Sequence, residues 1–288
     1  MKNTSWTDDE ITFLKENYSH MTNAQIAAAL DRTKTAVDLK LNRLGINKSK
    51  YTYNQNYFEN INSADKAYWL GFVAADGYVV YKDTSEYRNY ELGIELQYKD
   101  RNHLKLFNKA LCGNVQVDSR KRISYFDPSQ THHTAFIRLY SKKLVEDLIN
   151  HGIAPNKSTT INFIYITPDL MSHFIRGYFD GNGCVCIDNK QKKTISCDFT
   201  CGSENFATGL REHLHTLGIN SFMLHEKENV YRVYVKGVEN VHNFLCYIYQ
   251  HADVYYLPRK YNKASTLYKE FEYARRLPLH SEMCGFLN

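Results

Sequence analysis

The sequence predicts an α+β chain in which a small all-helical unit is followed by two copies of one module of helices and strands. Two observations carry this prediction. Short capped helical patterns occupy the first 46 residues, and from residue 63 onward a pattern of helices and strands recurs after about a hundred residues. A length of 288 residues also suffices for about two domains.

Composition excludes several classes of protein. Hydrophobic residues make up 43% and charged residues 23% of the chain, which excludes a largely disordered protein, a collagen and a coiled coil. No apolar run reaches the roughly 18 residues of a membrane helix, and residues 1–10 lack the apolar core of a signal peptide. We therefore expect a cytoplasmic protein with no membrane partner. The net charge of +5 permits a polyanionic partner without requiring one.

Three short helices are predicted at the start of the chain. Thr7 precedes three acidic residues, as a capping hydroxyl does when acids occupy the first turn. Thr22 starts a second helix and Thr33 or Thr35 a third, which Gly45 ends as a left-handed cap. The connections are so short that the three helices are predicted to form a compact trihelical unit.

The charge of this unit changes sign along the chain. The first 32 residues carry three basic and five acidic residues, whereas residues 33–50 carry five basic residues and one acidic residue. A trihelical unit with a basic third helix is typical of a helix-turn-helix, whose third helix enters the major groove. A small bundle with a solvated basic face is the alternative. The predicted DNA-binding residues are Arg32, Lys34, Thr35, Lys40, Asn42, Arg43, Lys48 and Lys50.

Residues 47–62 show neither helical nor strand periodicity and are predicted to be a linker, either an inert tether or a segment that follows a DNA groove.

The predicted divisions of the chain are the helical unit 1–46, the linker 47–62, a first half 63–165, a second half 166–268 and a tail 269–288. Strands are predicted at residues 78–81, 91–97, 135–140, 184–187, 195–200 and 230–235. Helices follow or separate them at residues 101–111, 142–151, 203–218 and 238–250.

The first helix of each half has an unusual stripe of small residues. Ala67, Gly71 and Ala75 are spaced by four, as are Gly177 and Gly181, so one face of each helix carries minimal side chains. Glycine inside a helix costs about 1 kcal/mol relative to alanine and so needs a packing reason. We expect the two helices to pack backbone to backbone. The alternative is that each packs closely on its own sheet.

This packing brings Asp76 and Asn182 to one point at the ends of the two helices. An acid at a helix C-terminus opposes the dipole and costs roughly 0.3–1 kcal/mol unless a cation compensates it. Mg²⁺ (or Mn²⁺) held by one or two carboxylates and substrate phosphate oxygens is a usual form of such a site and can activate water. Taken alone, Asp76 is more consistent with a simple Asp-Gly turn, and the repeat is what favours the metal site.

Two nine-residue segments carry a family resemblance. WLGFVAADG at residues 69–77 and IRGYFDGNG at residues 175–183 resemble the paired signatures of the LAGLIDADG homing endonucleases. The resemblance spans about residues 63–265 and implies an αββαββα half repeated twice in a monomer. It implies a saddle of two antiparallel sheets on a long double-stranded DNA target, and divalent-metal hydrolysis of both strands. Residues 5–46 resemble the Myb/SANT-like helix-turn-helix modules of mobile-element nucleases.

The resemblance also assigns roles by position. Asp76 matches one metal-binding acid and Asn182 the other, while Lys157 and Lys260 look like the basic residues that assist the attacking water or the scissile phosphate. Asn182 departs from the family, which has an acid there, because an amide oxygen ligates a metal without bringing charge. Asp180 lies about 200° around the helix and is expected to point away.

We therefore expect a nuclease of the homing type that cuts one strand well and the other slowly, or is inactive. A non-cleaving DNA-binding protein, either a regulator or an intron-splicing maturase, is the alternative function. A DNA target implies association with the nucleoid, in a bacterial or phage-infected cell. The four cysteines Cys184, Cys186, Cys197 and Cys201 depart from the paired spacing of zinc sites, so they are predicted to be neighbouring strand thiols.

Overall fold

The computed structural model describes residues 5–18, 21–44, 46, 51–124, 127–188 and 194–275, with only the backbone described for residues 268–275. The chain divides into two compact units, Met1–Thr52 and Tyr53–Asn288. Within the described ranges, no helix is both long enough and apolar enough to cross a membrane. The predicted cap Gly45, the basic residues Lys48 and Lys50, and most of the predicted tail lie outside these ranges.

The first unit contains three helices: α1 (Asp8–Asn17), α2 (Asn23–Ala29) and α3 (Lys34–Arg43). Thr7 and Glu10 form a reciprocal capping box at the start of α1, and Thr22 and Gln25 form another at the start of α2. The Thr33 side chain accepts a hydrogen bond from the amide of Ala36, which settles the start of α3. The predicted trihelical unit is confirmed.

The second unit begins before the predicted first half. Tyr57 and Phe58 are buried, the Tyr57 hydroxyl donates to Asp65 at 2.7 Å, and the ring of His151 bonds the carbonyl oxygen of Phe58 at 2.7 Å. Residues 53–62 therefore belong to the folded body, and the prediction that they form a linker is wrong. A few buried aromatic side chains can hold a segment against the folded body even when its sequence has no periodic pattern.

Each half of the second unit follows the same order of elements. The first half contains α4 (Ala64–Asp76), β1 (Gly77–Asp83), β2 (Arg88–Gln97), a 3-10 turn (Tyr98–Asp100), α5 (Arg101–Ala110), β3 (Asp118–Ile123), β4 (Thr131–Tyr140), α6 (Lys142–Asn150) and a 3-10 turn (Lys157–Thr159). The second half contains α7 (Pro168–Asn182), β5 (Gly183–Asp188), β6 (Thr194–Cys201), α8 (Glu204–Thr216), β7 (Ser221–Lys227), β8 (Val230–Lys236), α9 (Val238–Tyr249) and α10 (Pro258–Arg275). The αββαββα repeat is confirmed.

The strands form two four-stranded antiparallel sheets of identical topology. Their orders are β1-β2-β4-β3 and β5-β6-β8-β7. The registers also correspond, since Gly77 lies opposite Ile94 in the first sheet and Gly183 opposite Phe199 in the second. Alternate residues of each sheet, such as Ile94 and Phe199, are buried beneath the helices. The opposite face of each sheet carries the polar side chains.

The strands β3 and β7 and most of α10 were not predicted from residue patterns. Both strands lie at sheet edges and are exposed along nearly their whole length, so they lack the alternation that marks a half-buried strand. In β3 the consecutive basic residues Arg120, Lys121 and Arg122 resemble an exposed charged segment more than a strand. Only the resemblance supplied a second strand pair in each half.

The helices α4 and α7 pack backbone to backbone. A Cβ added at Gly71 would overlap the carbonyl oxygen of Phe174, and one added at Gly177 would overlap the carbonyl oxygen of Tyr68. The overlap is reciprocal, since each glycine admits the backbone of the other helix. The prediction from the small-residue stripe is confirmed, and the alternative in which each helix packs only on its own sheet is wrong.

Candidate functional site

The paired helices end side by side. Asp76 is the last residue of α4 and Asn182 the last of α7, and a strand begins at the following glycine in each case. A Cβ added at Gly181 would lie 3.5 Å from Cγ of Asp76, so the Asp76 carboxyl lies against the last turn of α7. Both predicted metal-binding residues are thus brought to the same end of the helix pair, where each is partly buried.

Asp76 is surrounded by cations. Burial raises the pKa of its carboxyl, and the charges of Lys260, Lys157 and Arg259 oppose that rise. Burial is the largest of these influences, so the carboxylate form is incompletely compensated by the protein alone. A site of this kind favours a further cation close to the carboxylate.

The two predicted lysines are buried although each carries an ammonium group. Lys157 and Lys260 are each 6% exposed, and burial lowers the pKa of each to about 8. The charge of Asp76 counteracts this lowering in both. Asn156, which precedes Lys157, takes the left-handed backbone conformation and directs the chain into the short turn that holds Lys157.

Lys260 closes the C-terminal end of α7. Its Nζ donates to the carbonyl oxygens of Phe179 at 2.7 Å and Gly181 at 3.0 Å. Carbonyls of the last helical turn carry the negative end of the helix dipole, and the Phe179 carbonyl oxygen also accepts from the amide of Gly183. In the second half, therefore, an ammonium of the chain itself supplies the cation that a helix end of this kind favours.

Asp180 finds its hydrogen-bond partners on α4, on α9 and just before α10. It is fully buried and accepts hydrogen bonds from the hydroxyls of Tyr68 at 2.8 Å and Tyr249 at 3.0 Å and from the amide of Leu257 at 2.7 Å. Burial raises its pKa to about 6. Asp180 is also the strongest charge partner of Lys260, ahead of Asp76. This buried role was not predicted from the sequence.

Asn182 contacts a side chain that could also contact an acid at this position. Its side chain is hydrogen-bonded to Tyr178, a buried residue whose pKa burial raises far above its ordinary value. The neighbouring Cys201 thiol is a further hydrogen-bond partner of that phenol. A carboxylate at position 182 would meet a neutral phenol that can donate to it, so the pocket does not exclude an acid.

The donor atoms at the helix ends fit one Mg²⁺ or Mn²⁺. Asp76 supplies a single carboxylate, Asn182 can supply an amide oxygen, and within the described residues no group of three histidine, cysteine or acidic side chains includes Asp76. Mg²⁺ in proteins commonly takes one or two carboxylates and completes its octahedron with waters and substrate phosphates. The residues therefore fit a hard cation that a phosphate substrate completes, and do not form a closed structural site.

In the first unit, α3 presents an exposed polar face. Thr35 and Asn42 are exposed and seven residues apart, which places them on one side of the helix, with Arg43 beside them. Lys34 is exposed at the first turn. Lys40 is half-buried, with its Nζ 5.7 Å from the ring of Trp6.

Arg32 does not belong to this face, and its prediction as a DNA-binding residue is wrong. Its side chain is 3% exposed and donates to both carboxylate oxygens of Glu10, at 3.1 and 2.7 Å. The guanidinium also lies 4.3 Å from the centre of the Trp6 ring. Glu10 and Trp6 are distant in sequence, so the basic residue was counted as solvated when it is structural.

The polar face of each sheet carries arginines that pair with acids. In the first sheet Arg120 pairs with Glu95, and Arg138 lies 3.4 Å from Glu91. In the second sheet Arg232 lies 3.2 Å from Glu226. These pairs are partly exposed, so the acids are neutralised while guanidinium and carboxylate edges remain accessible.

The chain has the fold of solved LAGLIDADG proteins, and one segment of it matches a family model. Residues 169–249 match the model of the family described as LAGLIDADG-like domain. The solved structure of the homing endonuclease I-WcaI bound to its DNA recognition sequence is 14% identical and covers 73% of this chain and 91% of its own, with a TM-score of 0.50. That of the LAGLIDADG homing endonuclease I-GzeII in complex with its DNA target is 11% identical and covers 79% and 97%, with a TM-score of 0.51.

Curated relatives match only part of this chain. A probable cell division protein WhiA from Clostridium acetobutylicum is 29% identical over 110 residues, which is 36% of this chain and 33% of that protein. Its counterpart from Clostridium tetani is 28% identical over 117 residues, 41% of this chain and 35% of that protein. The chain thus spans about a third of the length of the curated relatives it matches.

Proposed function

We propose that this chain is a Mg²⁺- or Mn²⁺-dependent, site-specific DNA endonuclease that cuts one strand of its duplex target faster than the other. The observation that carries the proposal is the pairing of the helix ends. Asp76 and Lys157 occupy the end of α4, whereas Asn182 and Lys260 occupy the corresponding end of α7. A buried acid with a raised pKa beside cations in such a place is a candidate active-site group.

Double-stranded DNA is the substrate that this architecture supports. Two solved proteins of the same fold are described as bound to their DNA targets. In this chain the polar sheet faces offer arginine, histidine and tyrosine side chains, and their acids are already paired. An acid that is paired with an arginine does not repel phosphates strongly. The carboxylate and guanidinium groups can also form hydrogen bonds with the bases in a major groove. Two sheets of identical topology favour a long, pseudo-palindromic site.

The residues of the site would have separate roles in the reaction. Asp76, with the amide oxygen of Asn182, would hold the cation. A bound Mg²⁺ supplies positive charge to phosphate oxygens and lowers the pKa of water. Lys157, with a pKa of about 8, is partly neutral near neutral pH and can take a proton from the attacking water. In its charged form it stabilises the negative charge that develops on the phosphate.

The residues of the second half are less well suited to this reaction than those of the first half. Asn182 brings no negative charge, and Lys260 is engaged by two carbonyl oxygens at 2.7 and 3.0 Å. The charge that balances Lys260 comes first from Asp180, which is fully buried and hydrogen-bonded to two tyrosines. We therefore expect fast cutting of the strand served by Asp76 and slow cutting of the strand served by Asn182.

The trihelical unit would lengthen the DNA site that the chain recognises. The exposed face formed by Thr35, Asn42 and Arg43 suits insertion of α3 into a major groove, where amide and guanidinium groups read adenine and guanine. Lys34 would contact phosphates at the start of the helix. The whole chain would act as a monomer in the cytoplasm of a bacterial or phage-infected cell, bound to DNA of the nucleoid. A reading frame inside an intron or intein would support homing.

A non-cleaving DNA-binding protein is the second candidate. Asn182 in place of an acid favours it, and so does the partial match to proteins described as probable cell division proteins. Such a protein would be a regulator or an intron-splicing maturase that retains the fold and the DNA-binding faces.

The deciding experiment incubates the full chain with a library of random duplexes in Mg²⁺ and, separately, in EDTA. Strand-specific sequencing of the ends then reports nicks in each strand. The proposal expects nicks at a fixed place in an enriched sequence, present in Mg²⁺ and absent in EDTA. Enrichment of a bound sequence without nicks would contradict cleavage and favour the second candidate.

A further inference from the structure

A second cluster of metal-binding side chains lies in the second sheet, next to the helix-end site and with Cys184 close enough to interact with the charge of Lys260. Cys184, Cys186 and Asp198 place one donor atom each within 4.8 Å of one another. The Sγ atoms of Cys184 and Cys186 are 3.4 Å apart, and Sγ of Cys186 lies 3.5 Å from Oδ2 of Asp198. We infer that these three residues form a binding site for a thiophilic divalent cation, Zn²⁺ in particular. This inference does not depend on the proposed nuclease activity.

The spacing of the donor atoms matches a tetrahedral zinc site. With Zn–S bonds of about 2.3 Å and Zn–O bonds of about 2.1 Å, tetrahedral ligands lie about 3.6–3.8 Å from one another. The two measured separations are 3.4 and 3.5 Å. The third separation, between Cys184 and Asp198, is within 4.8 Å, so side-chain rotations of about 1 Å or less complete the set without a change in the strands.

Strand pairing holds the three side chains on one face. Cys184 and Cys186 are two residues apart on β5, so they point to the same side of the sheet. Asp198 lies directly opposite Cys184 on β6. Cys197 and Cys201 are buried on the other face. The spacing of the four cysteines alone does not suit zinc, whereas the third donor is an acid that only the strand register identifies.

The pair of thiols suits a metal better than a disulfide. Residues two apart on a strand have Cα atoms about 6.6 Å apart, at the far limit of the separations that a disulfide spans. A metal bridges the two sulfurs without bringing them into bonding distance. Each thiol releases its proton to solvent as it binds, so the two thiolates and the Asp198 carboxylate together hold the dication.

The cluster is a special feature of the second half. At the corresponding place in the first sheet Tyr78 lies opposite Gly93 and covers it, and the Tyr78 hydroxyl donates to Glu91 at 2.6 Å. The repeat itself therefore does not require a polar cluster there. Both thiols of the second half are exposed, so a cation has a path from solvent and a fourth position remains open to water.

The test uses Co²⁺ as a spectroscopic probe for Zn²⁺ on the full-length, reduced chain. We expect one equivalent of Co²⁺ to produce thiolate-to-cobalt charge-transfer absorption in the near ultraviolet, and Zn²⁺ to abolish that absorption by displacement. C184S and C186S should each weaken Co²⁺ binding at least about 10-fold, since even outer-shell partners of metal sites contribute 10–100-fold. D198N should keep the charge-transfer absorption and weaken binding. C112S, which removes an exposed thiol elsewhere, should change neither.

Three results would overturn the inference. The first is the absence of charge-transfer absorption in a chain whose thiols are shown to be free by thiol titration. The second is absorption that survives in C184S and C186S, which would place the cobalt on other cysteines. The third is a Cys184–Cys186 disulfide that forms in air in the presence of Zn²⁺. Circular dichroism of each variant confirms that the comparison is made between folded chains.

Discussion

Lys260 donates a hydrogen bond of 3.0 Å to the carbonyl oxygen of Gly181, the residue immediately before Asn182. Lys157 holds the corresponding place in the first half, where its charge partner is Asp76. The two halves thus share a backbone plan but distribute charge differently. One helix end carries a carboxylate on which both lysines act, and the other carries an amide beside a lysine whose first negative partner, Asp180, is buried. This asymmetry is the basis of the expected strand bias.

Restoring an acid at position 182 should make the two strands more alike. N182D adds a carboxylate where the second half lacks one, and we expect slow-strand cutting to rise at least about 10-fold, a modest part of what one catalytic group contributes. The measurement is the rate of linear product formation from a supercoiled plasmid carrying the selected site. N262D adds the same charge at an exposed position of α10 and should leave the rate unchanged. An N182D variant no faster than the parent would contradict the assignment of Asn182.

Close packing of α4 on α7 reverses the usual effect of alanine in a helix. Replacing a glycine inside a helix by alanine normally stabilises the helix by about 1 kcal/mol. Here the new Cβ would overlap the backbone of Tyr68, so we expect G177A to lower the free energy of unfolding by about 1–3 kcal/mol. Chemical denaturation monitored by fluorescence measures this change. An increase in stability would mean that the helices do not approach as closely as described.

His103 should make the protein sensitive to acid. It is 4% exposed, its Nε2 lies 2.8 Å from the Tyr68 hydroxyl, and burial lowers its pKa to about 3. Because the folded pKa lies below the unfolded value of about 6.5, the stability from the neutral ring is complete above pH 6.5 and is lost as the pH falls toward 3.

The comparison that isolates this effect is H103Q against the parent. Between pH 6.5 and pH 5 we expect the parent to lose about 1.6 kcal/mol relative to the variant, in addition to any cost of H103Q that does not depend on pH. Urea unfolding at a series of pH values gives the difference. A constant difference across this range would show that His103 can accept a proton without unfolding the protein.

The first unit should add affinity without choosing the cut position. R43A removes an exposed cation from α3, so the slope of log affinity against log salt should fall by about 1 if Arg43 contacts a phosphate. Binding is measured by fluorescence anisotropy over a range of salt concentrations. K15A removes an exposed cation from α1 and is the matched control. Relocated nicks in R43A would contradict a modular role for this unit.

Much of the fold could be predicted because its signals are local. Capping residues such as Thr7 and Thr22 fix helix starts through contacts three residues away, and the glycine stripes around Gly71 and Gly177 identify the helix pair. The edge strand β3 (Asp118–Ile123) was missed because both of its faces are exposed. An exposed edge strand has no periodic pattern that a sequence could reveal.

The remaining errors concern contacts between residues distant in sequence. Arg32 is paired with Glu10, which makes a basic residue structural, and Asp180 collects donors from three separate elements. The carboxylate of Asp198 joins two cysteines only because β6 pairs with β5 in one register. Each of these contacts depends on tertiary packing. Residue type and spacing could therefore predict where the helices end, but not which side chains contact those ends.

The central claim is that Asp76 is the acid on which DNA cleavage depends. The most direct measurement compares the parent and D76N on the selected duplex in Mg²⁺, with cutting of each strand and equilibrium binding followed in parallel. We expect D76N to lower cutting of the fast strand by at least about 100-fold, the lower end of what one catalytic group contributes, while binding changes little. Undiminished cutting by D76N would contradict the account.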